Sequence, residues 1–251
     1  MSLTTRSRMR APFERKLDLP PPFRLVTLRE VGDAFAHAQA IAPEEGAGTL
    51  VFVGRFDLVE FAVVLEPDGP LRAARRAIYA GMAALCDALA AHAPPEKPIT
   101  VTWPDAILVD GGLVGGARLA WPKGTPETEP TPWLVFGATI RTVAMSDGEP
   151  GLRPLASALE EEGFDDVAAG ALVESFARHL MVAVDAWQES GFQAVAQSYL
   201  SRMPPEAGVE RLIDGVGDLL LRRSGRTEKL RLIPALATPS WCDPQTGGLR
   251  A

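Results

Sequence analysis

The stretch of sequence that most constrains the fold covers residues 102–121 and reads TWPDAILVDGGLVGGARLAW. Asp110 and Gly111 lie between two apolar runs, and Asp-Gly in that position is a strong short-range signal for a β-hairpin. We therefore predict two paired strands, Ala106–Val109 and Val114–Trp121.

Glycine is dense in this hairpin and occupies four of six consecutive positions, Gly111, Gly112, Gly115 and Gly116. Glycine in a strand allows a ligand or another backbone to approach closely. The hairpin directly follows Trp103, Pro104 and Asp105. These residues place an aromatic ring and a carboxylate at the end of a strand, where they could contact a ligand. We expect the hairpin to face a ligand; the alternative is tight packing on the helix predicted over Ile78–Ala93.

The order of the remaining elements predicts the fold class. Strands come first, then a helix, a run of strands, and finally helices. This order is typical of an α+β fold with a mixed or antiparallel sheet packed with helices, and it differs from βαβ alternation. The further predicted strands are Phe23–Leu28, Thr49–Val53, Leu58–Leu65, Ile99–Trp103 and Trp133–Thr142, and the further helices are Val31–Ile41 and a pair divided by Gly191.

Proline and charge patterns divide the chain into three parts. Residues 1–20 are predicted to be a disordered basic tail, 21–205 the main domain, and 206–251 a small C-terminal β domain. The β domain is expected to contain short strands and to need docking on the main domain, because so small a sheet buries little apolar surface. Its predicted strands are Val209–Ile213, Asp218–Arg222 and Lys229–Ile233.

Composition excludes several classes of function. The net charge of −7 falls on an acidic body, which argues against a nucleic-acid groove. The longest apolar helical candidate is too short to span a membrane. Two cysteines and three histidines without ligand spacing predict no metal site and no disulfide framework. The N-terminus lacks the apolar core of a secretory signal, so we expect a cytoplasmic protein.

The hairpin resembles the central motif of the biotin/lipoate A/B protein ligase family, which typically reads KWPNDILVDGKKIAGIL. The matching positions are Trp103, Pro104, Ile107, Leu108, Val109, Asp110, Gly111 and Gly116. The strand VFGATIRT is similar to the family's GIGIN strand, and SFARHLMVAVDAWQESGF resembles its later helix pair. The C-terminal β module stands where biotin ligases carry a small SH3-like domain.

The resemblance implies an activity and its participants. The family activates a carboxylic acid with ATP to an acyl-adenylate and transfers the acyl group to a lysine of a carrier domain. Biotin or lipoate, ATP and a biotinyl or lipoyl carrier domain are therefore the implied ligands and partner. A lysine near both the carboxylate and the triphosphate stabilises the developing charge in such a reaction.

This sequence departs from the family where that chemistry is carried. The motif lysine corresponds to Leu113, and the motif's Asn to Asp105. The Gly and Asn of the GIGIN strand correspond to Thr139 and Arg141. The adenylate-binding loop, usually GRGRxGRxW, is reduced to Gly54-Arg55-Phe56. Loss of one preorganised charge typically costs about 3 kcal/mol of transition-state stabilisation.

Two cations are candidates to replace the lysine, Arg55 and Arg141, because the resemblance places both beside the acyl-adenylate. Arg118 is closer in sequence, but regular strand alternation puts it on the opposite face from Leu113. Only a β-bulge would reverse that. The candidate ligand-binding residues are Arg55, Trp103, Pro104, Asp105, Gly115, Gly116, Thr139 and Arg141.

The sequence thus predicts a divergent ligase-like protein that keeps the fold and a cleft for a small carboxylate, a nucleotide or a carrier domain. Two alternatives stay open. The first is an active ligase in which Arg55 or Arg141 assists adenylation. The second is a non-catalytic module that recognises a carrier domain or a regulatory partner.

Overall fold

A computed structural model describes residues 17–144, 156–164, 167–245 and 248–250. Residues 1–16 of the predicted basic tail lie outside them. The described strands are β1 Arg24–Leu28, β2 Thr49–Gly54, β3 Leu58–Leu65, β4 Ile99–Thr102, β5 Ala106–Val109, β6 Gly112–Ala120, β7 Leu134–Arg141, β8 Val209–Ile213, β9 Leu219–Arg223 and β10 Arg226–Leu230. The described helices are α1 Ala34–Glu45, α2 Leu71–Ala74, α3 Ala77–Ala90, α4 Ala169–Ser190, α5 Phe192–Leu200 and α6 Leu232–Ala237.

Seven strands form one mixed sheet in the order β1-β2-β3-β7-β6-β5-β4. β1 pairs parallel to β2, and the other neighbours are antiparallel. The predicted α+β class with a mixed sheet is confirmed, and so is the hairpin formed by β5 and β6.

Helices α3, α4 and α5 cover one face of this sheet and form the main core with it. Phe136, Ala138 and Ile140 of β7 point into that core, as strand alternation predicts. Gly81 of α3 lies directly against the Phe136 ring, so a small residue lets this helix approach the sheet closely.

Helix α1 covers part of the opposite face through Ala34, Ala38 and Ala42, which are buried. It begins after Asp33, whose carboxylate accepts the Ala36 N–H at 2.8 Å. The predicted end at residue 41 is wrong, because the helix continues through Pro43 to Glu45. Since Pro43 lies in the last turn, it removes a single hydrogen bond close to where the helix ends at Gly46.

The small sheet, ordered β10-β9-β8, packs on α3. Tyr79 donates its hydroxyl hydrogen to the Gly217 carbonyl, and Arg75 Nε donates to the Val216 carbonyl at 3.0 Å. β10 begins three residues earlier than predicted, because Ser224 and Gly225 have positive φ and form a two-residue turn. The last two residues of the predicted strand, 232 and 233, instead begin α6.

None of the helices in the described ranges is long and apolar enough to cross a membrane. Within the same ranges, no group of three or more His, Cys, Asp or Glu side chains is placed to hold a metal ion.

Candidate ligand-binding site

A β-bulge in the hairpin decides which side chains share a face. Ile107 pairs with Gly115 and Leu108 pairs with Leu113, so Val114 has no cross-strand partner. The extra residue reverses the alternation of β6. Val114 enters the main core, whereas Leu113 and Arg118 both lie on the face opposite α3. Regular alternation had placed Arg118 on the other face from Leu113, and that expectation is wrong.

Arg118 lines a cavity of about 230 Å³ on this second face. Beside Arg118, one row of the sheet runs across three strands: Thr139 of β7 pairs with Glu60 of β3 on one side and with Gly116 of β6 on the other. Arg118 pairs with Gly137 in the adjacent row. The other residues lining the cavity include Asp33, Phe35, Arg55, Leu58, Trp241, Gly248 and Leu249.

Glu60 supplies an acidic group to the cavity. Its carboxylate accepts the Ala34 N–H at 2.8 Å, at the beginning of α1. Burial raises the pKa of Glu60, with the nearby Asp33 carboxylate acting in the same direction, while the Ala34 hydrogen bond and Arg118 oppose the shift.

The two cations of the cavity have different surroundings. Arg55 forms a two-point ion pair with Asp57, at 3.1 and 3.0 Å, within the short connection between β2 and β3. The hydrogen bond to Asp57 raises the pKa of Arg55 and Arg55 lowers that of Asp57. Arg118 instead stacks on Trp241, with 5.1 Å from its guanidinium carbon to the ring centroid, and donates to Cys242 Sγ at 3.2 Å.

Asp105, which corresponds to the motif's Asn, is fully buried beside the cavity. Its Oδ1 accepts the Ser240 hydroxyl at 3.5 Å, and its Oδ2 has no hydrogen-bond partner among the described residues. Burial raises the pKa of Asp105 to about 7, against the opposing effects of Ser240 and Arg118.

Trp103 and Pro104 belong to the helix side of the sheet. Trp103 packs on the main core, and its Nε1 donates to the Tyr79 hydroxyl at 2.9 Å. The Pro104 carbonyl accepts the Tyr199 hydroxyl at 3.1 Å. Neither residue lines the cavity, so within the described residues their contacts connect the hairpin to α3 and α5.

Gly115 and Gly116 of β6 are packed closely against other parts of the protein. A methyl group on Gly115 would overlap the Thr139 carbonyl of β7. One on Gly116 would overlap both the Trp241 indole and the Asp105 carbonyl. The close approach that glycine predicts is therefore present, and at Gly116 the approaching group is a side chain from the C-terminal end of the described chain.

Arg141 lies outside the cavity, at the end of β7. Its Nη2 donates to the Arg250 carbonyl at 2.8 Å and its Nη1 to the Ser157 carbonyl at 3.4 Å. Of the predicted site residues, Arg55 and Thr139 line the cavity. Gly116 lies beside it as the cross-strand partner of Thr139.

Among the residues that line the cavity, sequence reasoning missed Glu60 and Trp241 and set Arg118 aside. The paired glycines 115 and 116 were the available signal for Arg118, because glycine inside a strand often marks a bulge. Glu60 is one polar residue in an apolar strand, and a charged side chain there indicates a site or an exposed face. No local pattern indicated Trp241, which lies 124 residues from its hydrogen-bond acceptor Ala117.

Comparisons with known proteins agree with the fold. A family model described as the biotin/lipoate A/B protein ligase family matches residues 19–201. A biotin--[acetyl-CoA-carboxylase] ligase of Paracoccus denitrificans is 27% identical over 147 residues, which are 56% of this chain and 58% of that protein. The match therefore spans less than two thirds of that relative.

Solved structures extend the similarity to most of the chain. A biotin protein ligase-like protein of unknown function from Silicibacter sp. TM1040 superposes with a TM-score of 0.76 at 26% identity, covering 87% of this chain and 98% of that one. The biotin protein ligase of Aquifex aeolicus gives a TM-score of 0.63 at 17% identity, covering 83% and 95%. The second match supports the fold alone.

Proposed function

The chain belongs to the biotin/lipoate A/B protein ligase family, and from that premise we propose that it binds a small carboxylate at Arg118 without activating it by adenylation. The observation that carries the proposal is the bulge at Val114. It places Arg118 in the cavity, on the same face as the Leu113 position where the family has its lysine.

The size of the cavity and the Arg118 guanidinium in its lining favour a small anion. Pockets for drug-sized ligands usually measure about 300–1,000 Å³, and this cavity of about 230 Å³ holds less. A guanidinium binds a carboxylate through two parallel N–H donors and stays charged at any physiological pH. A short or medium-chain carboxylate therefore fits this cavity better than a nucleotide does.

Three observations disfavour adenylation chemistry. Leu113 packs with Ala106 and Trp241 and brings no charge. Arg55 is paired with Asp57, and three residues between β2 and β3 are too few to surround a nucleotide. We therefore expect neither biotin nor lipoate to be transferred to a carrier domain.

Isothermal titration with octanoate, lipoate, biotin and ATP tests the proposal. We expect heat from a carboxylate and none from ATP alone. Arg118→Met keeps the aliphatic stem that packs on Trp241 and removes the charge, so it should weaken carboxylate binding at least about tenfold, since hydrogen bonds to charged groups contribute about 1.5–3 kcal/mol.

Arg118→Lys retains the charge and should weaken binding less than Arg118→Met. Arg222→Met is the matched control, because Arg222 is an exposed cation on the small sheet. Unchanged binding by Arg118→Met would remove Arg118 from the proposal. Incorporation of labelled biotin or lipoate into a carrier domain would contradict the absence of adenylation, and a stable complex with that domain without ATP would favour an interaction module.

A further inference from the structure

The chain after α6 turns back across the face that carries Arg118. We call residues 239–245 and 248–250 the C-terminal strap. Cys242 forms an antiparallel bridge with Leu249. The Arg250 N–H donates to the Trp241 carbonyl at 2.9 Å, and the Asp243 N–H donates to the Gly248 carbonyl at 2.8 Å. These bonds close the strap on itself, so that it lies on the sheet as one unit.

Trp241 anchors the strap. Its side chain is only 1% exposed, although it belongs to none of the described helices or strands. Its indole lies against Gly116, and its Nε1 donates to the Ala117 carbonyl at 3.1 Å. A buried tryptophan with its N–H satisfied is a strong apolar anchor.

The strap also contacts the polar groups of the face. Arg118 meets the Trp241 ring and the Cys242 sulfur, and Arg141 donates to the Arg250 carbonyl. The buried Asp105 carboxylate accepts the Ser240 hydroxyl. Leu113 packs beside the strap residues Trp241, Cys242 and Leu249. The polar groups that meet the strap here therefore belong to the hairpin, to β7 and to Asp105 directly before the hairpin.

We propose that the C-terminal strap is an intramolecular inhibitor that occupies part of the ligand face and competes there with a carboxylate such as octanoate. This inference rests on the proposed function, because it concerns the same cavity. With the strap in place the cavity is bounded by Trp241, Gly248 and Leu249. Its departure enlarges the cavity over Gly116 and removes the stacking and sulfur contacts that hold the Arg118 guanidinium.

The two cysteines provide a direct measurement of strap release. Cys242 lies in the strap, whereas Cys86 is buried in α3, where burial raises the pKa of its thiol to about 12. Iodoacetamide labelling of the native full chain, followed by intact mass, should add one label when the strap opens and two when the protein unfolds. The number of labels therefore separates strap release from loss of the fold.

The experiment compares wild type with Trp241→Ala, using octanoate as the probe. We expect Trp241→Ala to accept one label at least tenfold faster than wild type and to bind octanoate at least tenfold more tightly. Trp241→Phe keeps the apolar ring and loses the Nε1 bond, so it should lie between the two. Gln245→Ala, at an exposed position of the strap, should match wild type in both measurements.

The remaining outcomes distinguish the inference from the proposed function. Fast labelling of Trp241→Ala with equal or weaker octanoate binding would overturn inhibition by the strap and leave the carboxylate site in place. Slow labelling of Trp241→Ala would overturn the anchoring role of the indole. Absence of octanoate binding to both proteins would overturn the proposed function and the competition together.

Discussion

At the scale of single residues, the site is a cavity with a carboxylate and a guanidinium on adjacent rows of neighbouring strands. Glu60 and Arg118 both face it, and burial raises the pKa of Glu60. Asp105 lies beside them, fully buried with one carboxylate oxygen unpartnered within the described chain. Such a carboxylate destabilises the fold when charged, because burial removes its hydration.

Asp105→Asn should stabilise the protein at pH 8. The folded pKa of Asp105 is raised to about 7 from 3.8, so its proton is retained by the folded state and lost by the unfolded state between those values. Stability therefore falls as pH rises from about 4 to about 7 and stays reduced above that. The gain from Asp105→Asn should be small near pH 4 and about 4 kcal/mol at pH 8, because one pKa unit corresponds to about 1.4 kcal/mol.

Urea unfolding at a series of pH values measures that gain. Asp57→Asn is the control with the opposite trend, because the Arg55 hydrogen bond lowers the pKa of Asp57. Asp57 contributes stability that is present above its unfolded pKa and is lost as pH falls through its lower folded pKa. A gain from Asp105→Asn that is constant across pH would contradict the raised pKa.

At the scale of elements, close packing between α3 and the sheet positions the hairpin. Gly81 lies against Phe136 of β7, which pairs with β6 through Leu119. The bulge in β6 then determines which side chains of the hairpin reach the opposite face.

Gly81→Ala should destabilise the protein by about 1–3 kcal/mol, the usual cost of overpacking a core. Alanine is intrinsically the better helix former by about 1 kcal/mol, so a loss of stability would report the Phe136 contact specifically. Thermal or urea unfolding measures it. Gly69→Ala is the control, since nothing lies within 4 Å of the added methyl group. Stabilisation by Gly81→Ala would contradict the close approach.

At the scale of the whole molecule, the C-terminal residues contact the main domain on two sides. One side is the helix layer, and the other is the opposite face of the large sheet. The small sheet contacts Tyr79 of α3 and Arg75 at the end of α2, and the strap lies across the opposite side against Gly116. Trp103 donates to the same Tyr79 hydroxyl at 2.9 Å. Tyr79 therefore connects the small sheet to the start of the hairpin.

Tyr79→Phe should lower the free energy of unfolding by about 1–3 kcal/mol, because it leaves the Gly217 carbonyl and the Trp103 N–H without their partner. Urea unfolding at constant pH measures the loss. Arg223→Ala removes only an exposed ion pair with Glu206 and should cost about 0–1 kcal/mol. Equal effects of the two substitutions would show that Tyr79 does not connect these parts.

The sequence by itself determined the elements whose signals are local. Strand alternation in β7 and the Asp-Gly turn of the hairpin depend on residues within a few positions of each other. The family motif in the hairpin likewise predicted the α+β fold. Local signals predicted some element boundaries incorrectly by a few residues. Helix α1 continues through Pro43 to Glu45, and β10 begins directly after the Ser224-Gly225 turn.

Only the tertiary structure decided which groups share the site. Pairing of β6 with both neighbours placed the bulge at Val114, which brought Arg118 to the face of Leu113. The side chain that packs on Gly116 is Trp241, and its hydrogen bond to the Ala117 carbonyl joins residues 124 positions apart. Such contacts form because burial of a distant apolar side chain lowers the free energy of the whole chain, and no local pattern records its partner.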